Sequence, residues 1–127
     1  MQSADTNVLV RLIARDDPRQ TAAAEAFVRS GVWVSHLVLA EAVWMLESIY
    51  GLQPPQILGA LDTLVNHASL TLQDSDAVMA AAALFRARPA VGFADCLVLE
   101  IARKAGHLPV ATFDRDFAKL ADVQRIA

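Results

Sequence analysis

The sequence predicts an α/β fold with a mainly parallel sheet, and three features carry that expectation. Short apolar runs of strand length recur at Val32-Trp33-Val34-Ser35, Leu70-Thr71-Leu72 and Val110-Ala111-Thr112-Phe113. Longer segments with helix start and stop signals separate them. Strands divided by helices need crossover connections, so they pair mainly in parallel with helices on both faces of the sheet. With 127 residues and no linker, internal repeat or low-complexity tract, one domain over residues 1–127 is expected.

The elements follow in order. Residues near 2–6 predict a short first strand, after which Asn7 to Ala14 turns helical. Asp17-Pro18 supplies a cap and a proline at the first helical position, and Gly31 ends that helix near Ser30. Val32 to Ser35 forms a strand. Ser35 then caps a long helix that runs to Tyr50 and stops at Gly51. Pro54-Pro55 opens a helix from Gln56 to about His67, and Leu70 to Leu72 is the next strand. Asp74 or Ser75 caps a helix to about Arg88, and Phe93 to Ala105 is helical with Gly106 at its end. Val110 to Phe113 is a strand, and Val123 to Ile126 a weak last one.

Composition excludes several classes. Hydrophobic residues make up 55% and charged ones 20%, which argues against disorder. Glu41 and Glu47 break the longest apolar run, so no membrane span is expected. No basic segment leads into an apolar one at the start, so export is not indicated and a cytoplasmic location is expected. The single cysteine, Cys96, lies in an apolar helical stretch and reads as an inert core thiol. Net charge is -3. Setting aside Asp5, Glu41, Asp95, Asp114 and Asp116 leaves nine of the 14 acidic residues against 11 basic ones. A polyanionic partner is therefore permitted.

Those acids hold the main functional clue. Asp5, Glu41, Asp95 and Asp114 each sit in apolar sequence, where ionised carboxylates are rarely buried unless paired or metal-bound. Asp5 and Asp114 fall at the C-terminal ends of predicted strands, the edge where parallel α/β sheets bind ligands. Glu41 and Asp95 have apolar helical neighbours at three and four residues, which predicts that both point inward. Glu47 and Glu100, by contrast, read as solvated. A cap or turn role is the ordinary one for a lone Asp after a strand. Four such acids instead suggest a shared cation. Hard oxygen donors without a cysteine pair or spaced histidines favour Mg²⁺ or Mn²⁺, and such ions suit hydrolysis of a phosphate ester.

At these residues the chain resembles PIN domains, and specifically the VapC-type toxins of bacterial toxin–antitoxin pairs. The segment from Asp5-Thr6-Asn7 to Arg11 resembles the family's opening motif, and Ser35 through Leu39-Ala40-Glu41-Ala42-Val43-Trp44 the segment with the second acid. Phe93-Ala94-Asp95-Cys96-Leu97 and Thr112-Phe113-Asp114-Arg115-Asp116-Phe117 resemble the third and fourth. Two departures are a first strand led only by Met1-Gln2-Ser3-Ala4, where relatives are more apolar, and Gly92 where a polar residue is common. The resemblance implies a three-layer α/β/α sandwich with a central, mainly parallel sheet of four to five strands. It also implies a Mg²⁺- or Mn²⁺-dependent endoribonuclease. Asp5, Glu41, Asp95 and Asp114 would hold the metal, with Asp116 as an auxiliary ligand and Thr6, Asn7 and Thr112 as orienting groups. A homodimer and a small antitoxin that covers the acidic site are implied as partners.

Other residues have ordinary roles to set beside functional ones. Trp33, Trp44, Phe85 and Phe93 are suited to base stacking, but their apolar settings favour the core. His36, His67 and His107 are too scattered for a zinc set, with His36 the one candidate for a site neighbour. Among the basic residues, Arg11 and Arg115 lie closest in sequence to the proposed ligands and are the candidates for RNA contact. The helix pair from Leu37 to Val65 carries surplus apolar surface, as an interface with a second copy or an antitoxin would. Competing functions are weaker. A receiver-type signalling domain needs an acidic pair near its first strand and a late lysine, whereas Asp16-Asp17 is misplaced and no lysine follows Thr112. A HAD-type phosphatase needs a second Asp where Asn7 stands. A degenerate PIN domain that only binds RNA or protein, and a DNA-directed nuclease of the same fold, remain alternatives.

Overall fold

The computed structural model describes residues 1–127 and divides them into two compact units, Met1–Ser75 and Asp76–Ala127. In the first unit the order is β1 (Gln2–Ser3), α1 (Thr6–Ala14), α2 (Pro18–Val28), β2 (Val32–Val34), α3 (His36–Ser48), α4 (Pro54–Val65) and β3 (Leu70–Leu72). Local chemistry sets these boundaries. Asp5, Asp17 and Ser35 each cap a helix by accepting a hydrogen bond from the backbone N–H three residues on. Pro18 and Pro54 occupy first helical positions, where a missing N–H costs nothing.

The three strands form a parallel sheet in the order β1-β2-β3, with Gln2 beside Val32 and Val32 beside Leu70. Side-chain alternation turns Val32, Val34, Leu70 and Leu72 into the core and leaves Trp33 and Thr71 exposed. Leu9 and Val10 of α1, Leu39 and Leu46 of α3, and Ile57, Leu61 and Leu64 of α4 complete that core. Helix α1 packs against both α2 and α3.

The second unit contains α5 (Ser75–Ala87, beginning at the boundary), α6 (Phe93–Ala105), β4 (Val110–Thr112) and β5 (Val123–Arg125). Its core includes Val78, Ala81, Phe85, Phe93, Cys96 and Leu99, and the rings of Phe85 and Phe93 meet edge to face at 6.3 Å. β4 and β5 pair in parallel with Val110 beside Val123.

All five expected strands are present, but not as one sheet of four to five. They form a three-stranded and a two-stranded ladder. Strands of two or three residues offer few ladder hydrogen bonds, and β4 uses its bonds on β5, including Val110 N–H to Asp122 O and Ile126 N–H to Thr112 O. The first strand is also shorter than expected and stops at Ser3, because Asp5 is already committed to capping α1. Short 3₁₀ turns at Pro89–Val91 and Phe117–Lys119 add to the expected elements.

Candidate acidic site

In the first unit, Asp5 and Glu41 are brought into one neighbourhood by Thr6. The Thr6 hydroxyl, almost buried at the start of α1, donates to Glu41 Oε2 on α3 at 2.9 Å. Asp5 Oδ1 accepts from Val8 N–H at 3.3 Å. Neither acid is buried: Asp5 and Glu41 are both exposed. The expectation that Glu41 points inward is therefore corrected. Its helix is apolar on nearly every side, and Leu37, Glu41, Trp44 and Ser48 share the face that looks outward. Trp44 is 63% exposed, so the core role expected for it, and for the half-exposed Trp33, does not hold.

In the second unit, Asp95 lies in the first turn of α6 and is half-buried. Burial pushes its carboxyl above the usual range, and the charge of Asp114 pushes in the same direction. Asp114 follows β4. Its Oδ2 accepts from Phe117 N–H at 2.9 Å, and its own N–H donates to Thr112 Oγ1 at 3.0 Å. Asp116 sits beside Lys119, 3.3 Å from Nζ. Phe85 and Phe93 are in the core, as their apolar settings suggested. Glu100 is not the solvated charge expected: its side chain is only 13% exposed and pairs with Arg103 at 3.2 Å.

A common pattern links these acids. Asp5, Glu41 and Asp114 each spend one oxygen on a hydrogen bond within the chain and keep the other unengaged, while Asp95 makes none. A carboxylate held through one oxygen is oriented without being consumed, as metal ligands are by the groups around them. The donors are all oxygen, which suits a hard divalent cation. No group of three or more His, Cys, Asp or Glu side chains stands together as a metal-holding set. What the structure brings together within each unit is Glu41 with the residue beside Asp5, and Asp95 with Asp114.

The remaining expected residues fall as follows. Asn7 is exposed and has no hydrogen-bond partner, so it does not orient a carboxylate through a direct contact. Arg11 donates to Asp16 Oδ1 at 2.5 Å and to the Tyr50 hydroxyl at 2.9 Å, and that hydroxyl donates to Asp16 Oδ2 at 3.0 Å. This triad ties α1 to the chain just beyond α3. Sequence reading missed it, since nothing local links Arg11 to a tyrosine 39 residues on. Arg115 is exposed, and the structure gives it no ion pair. His36 begins α3, with its ring Nε2 buried and unpartnered.

Parallel strands joined through helices, with oriented carboxylates in each unit, define an α/β protein. The chain belongs to the PIN domain family, which matches it over residues 4–123 and so spans both units. PIN domains are generally nucleases and generally use divalent metal ions. No curated protein and no solved structure matches the chain. No helix is long and apolar enough to cross a membrane.

Proposed function

We propose that this chain is a Mg²⁺- or Mn²⁺-dependent endoribonuclease, a cytoplasmic VapC-type toxin of a toxin–antitoxin pair. The observation that carries the reading is the orientation of Asp5, Glu41 and Asp114 through one oxygen each, with Asp95 feeling the charge of Asp114, in a chain of a nuclease family. In this reading residues 1–127 act as one domain. Asp5, Glu41, Asp95 and Asp114 hold the ion, and Asp116 assists. The ion, when bound, acidifies a bound water and offsets charge on the phosphodiester under attack. Thr6 fixes Glu41, and Thr112 fixes the backbone at Asp114. Arg115 is free to meet a phosphate, whereas Arg11 must first leave Asp16. Leu37, Trp44 and Ile49, all more than half exposed, support a protein-covered face for an antitoxin or a second copy.

The test is brief expression without an antitoxin, followed by mapping of new RNA 5′ ends against an Asp95→Asn control. Discrete ends seen only with the wild type are expected. Folded protein that produces none would shift the reading to a DNA-directed nuclease or a binding-only PIN domain.

A further inference from the structure

Asp95 and Asp114 belong to two elements of the second unit, the first turn of α6 and the turn that follows β4. No hydrogen bond or ion pair joins them, and the charge of Asp114 opposes ionisation of Asp95. Their spacing is therefore set from elsewhere. Arg103 lies on the same helix as Asp95, roughly two turns or about 12 Å further along. Its Nη1 donates to Asp122 Oδ2, its Nη2 to the carbonyl of Ala121 at 3.4 Å, and its Nε to Glu100 Oε1 at 3.2 Å. One arm of the guanidinium thus stays on α6, and two reach the residues that lead into β5.

Those residues also fix the ladder. The carbonyl of Asp122 accepts from Val110 N–H at 2.9 Å, at the first residue of β4, and Val110 stands beside Val123. Asp122 holds φ at 66°, a left-handed conformation that costs energy for a residue with a side chain, and its carboxylate is the one paired with Arg103. β4 accordingly starts at the Arg103 end of α6 and runs toward the Asp95 end, where Asp114 follows it. Apolar burial between a helix and a ladder is non-directional and resists separation more than sliding. Charged hydrogen bonds from a planar fork are directional, and they fix the register.

We infer that Arg103 is a positioning residue for the acid pair: by stapling α6 to the start of the β4–β5 ladder, it sets where the far end of that ladder presents Asp114 to Asp95. The inference rests on the metal reading above and deepens it. Arg103 pairs with neither acid, so its influence passes through the ladder. Lys104, the next residue, provides the contrast. It pairs with Asp76 at 2.8 Å and so ties α6 to the start of α5, leaving the ladder untouched.

The experiment titrates Mn²⁺ into the full chain by calorimetry, at a temperature where thermal melting shows every variant folded. Arg103→Met keeps the apolar stem and removes the fork. Its Mn²⁺ affinity is expected to fall about three- to thirty-fold, the range for residues that act on a site without touching it. Asp122→Gly suits the left-handed backbone while removing the carboxylate, so it tests the same contact without relying on the folding of Arg103→Met. It should weaken binding in the same direction, and the double variant should bind no more weakly than Arg103→Met alone. Lys104→Met should bind as the wild type does. A second readout needs no metal: in amide NMR spectra of the metal-free protein, Arg103→Met should move the resonances of Asp95 and Asp114, and Lys104→Met should move neither. Unchanged Mn²⁺ affinity in folded Arg103→Met and Asp122→Gly would show that the staple only stabilises, and it overturns the inference while the metal reading stands. If the wild type binds no Mn²⁺, the metal reading fails and the spectra decide: shifts at both acids support the staple, and their absence overturns it as well.

Discussion

Replacing Thr6 by valine tests the acidic site at its most specific contact. The two side chains have nearly the same shape, and the residue is only 8% exposed, so packing is conserved while the hydroxyl that holds Glu41 Oε2 at 2.9 Å is removed. A hydrogen bond to a charged acceptor is worth about 1.5–3 kcal/mol when both groups are shielded. Glu41 is exposed, so water can replace the hydroxyl, and the net cost in stability falls to about 1 kcal/mol or less. For a domain of this size that corresponds to roughly 3–4 °C in melting temperature. The effect on cation binding should be much larger, because Glu41 loses its orientation: affinity is expected to drop about 10- to 100-fold. Titration of Mn²⁺ by calorimetry, without substrate, reads this directly, and Thr6→Ser should restore binding. Wild-type Mn²⁺ affinity in Thr6→Val would show that the hydroxyl does not position a metal ligand, and the site reasoning for Glu41 would have to be abandoned.

Three further perturbations test other parts of the reading. Glu47 is exposed, as expected of a solvated charge, yet partial desolvation on α3 raises its carboxyl above the ordinary range, so its ionisation opposes folding slightly as pH climbs through that interval. Glu47→Gln should match the wild type in acid and exceed it by a small margin near neutrality, as chemical denaturation at several pH values will show. The Cys96 thiol is fully buried and pushed up to about 11, so a disulfide reagent at pH 8 should label the native protein very slowly and the urea-unfolded chain stoichiometrically; rapid native labelling would contradict the burial. Tyr50→Phe removes the hydroxyl between Arg11 and Asp16 and should cost about 1 kcal/mol in denaturant unfolding, with Mn²⁺ affinity unchanged.

Much of the fold was legible because its signals are local. Pro18 and Pro54 open helices, Ser35 and Asp17 cap them, and Gly106 closes α6 in a left-handed conformation, each readable from a few adjacent residues. Strand pairing is not local in that sense. A three-residue strand such as β4 has the same composition whether it joins a large sheet or pairs only with β5, so its partner could not be read from its sequence. The orientation of α3 was hidden for a related reason. Helical periodicity locates an inward face only when polar residues mark the outward one, and Leu37, Val38, Leu39, Val43, Trp44 and Met45 leave little contrast.

The outward orientation of Glu41 changes what marks these acids as a set. Their apolar neighbours suggested buried carboxylates, yet Asp5, Glu41 and Asp114 are exposed and only Asp95 is substantially shielded. What Asp5, Glu41 and Asp114 share is the way they are held rather than burial. Asp5 caps α1, Asp114 accepts from Phe117 N–H at the start of the following turn, and Glu41 is held by Thr6, so the ordinary structural role of a lone aspartate is compatible with the ligand role proposed for it. A capping carboxylate uses one oxygen on the backbone and points the other away from it. Capping therefore leaves an oxygen on Asp5 and Asp114 for the ion of the proposed reading, already oriented by the backbone.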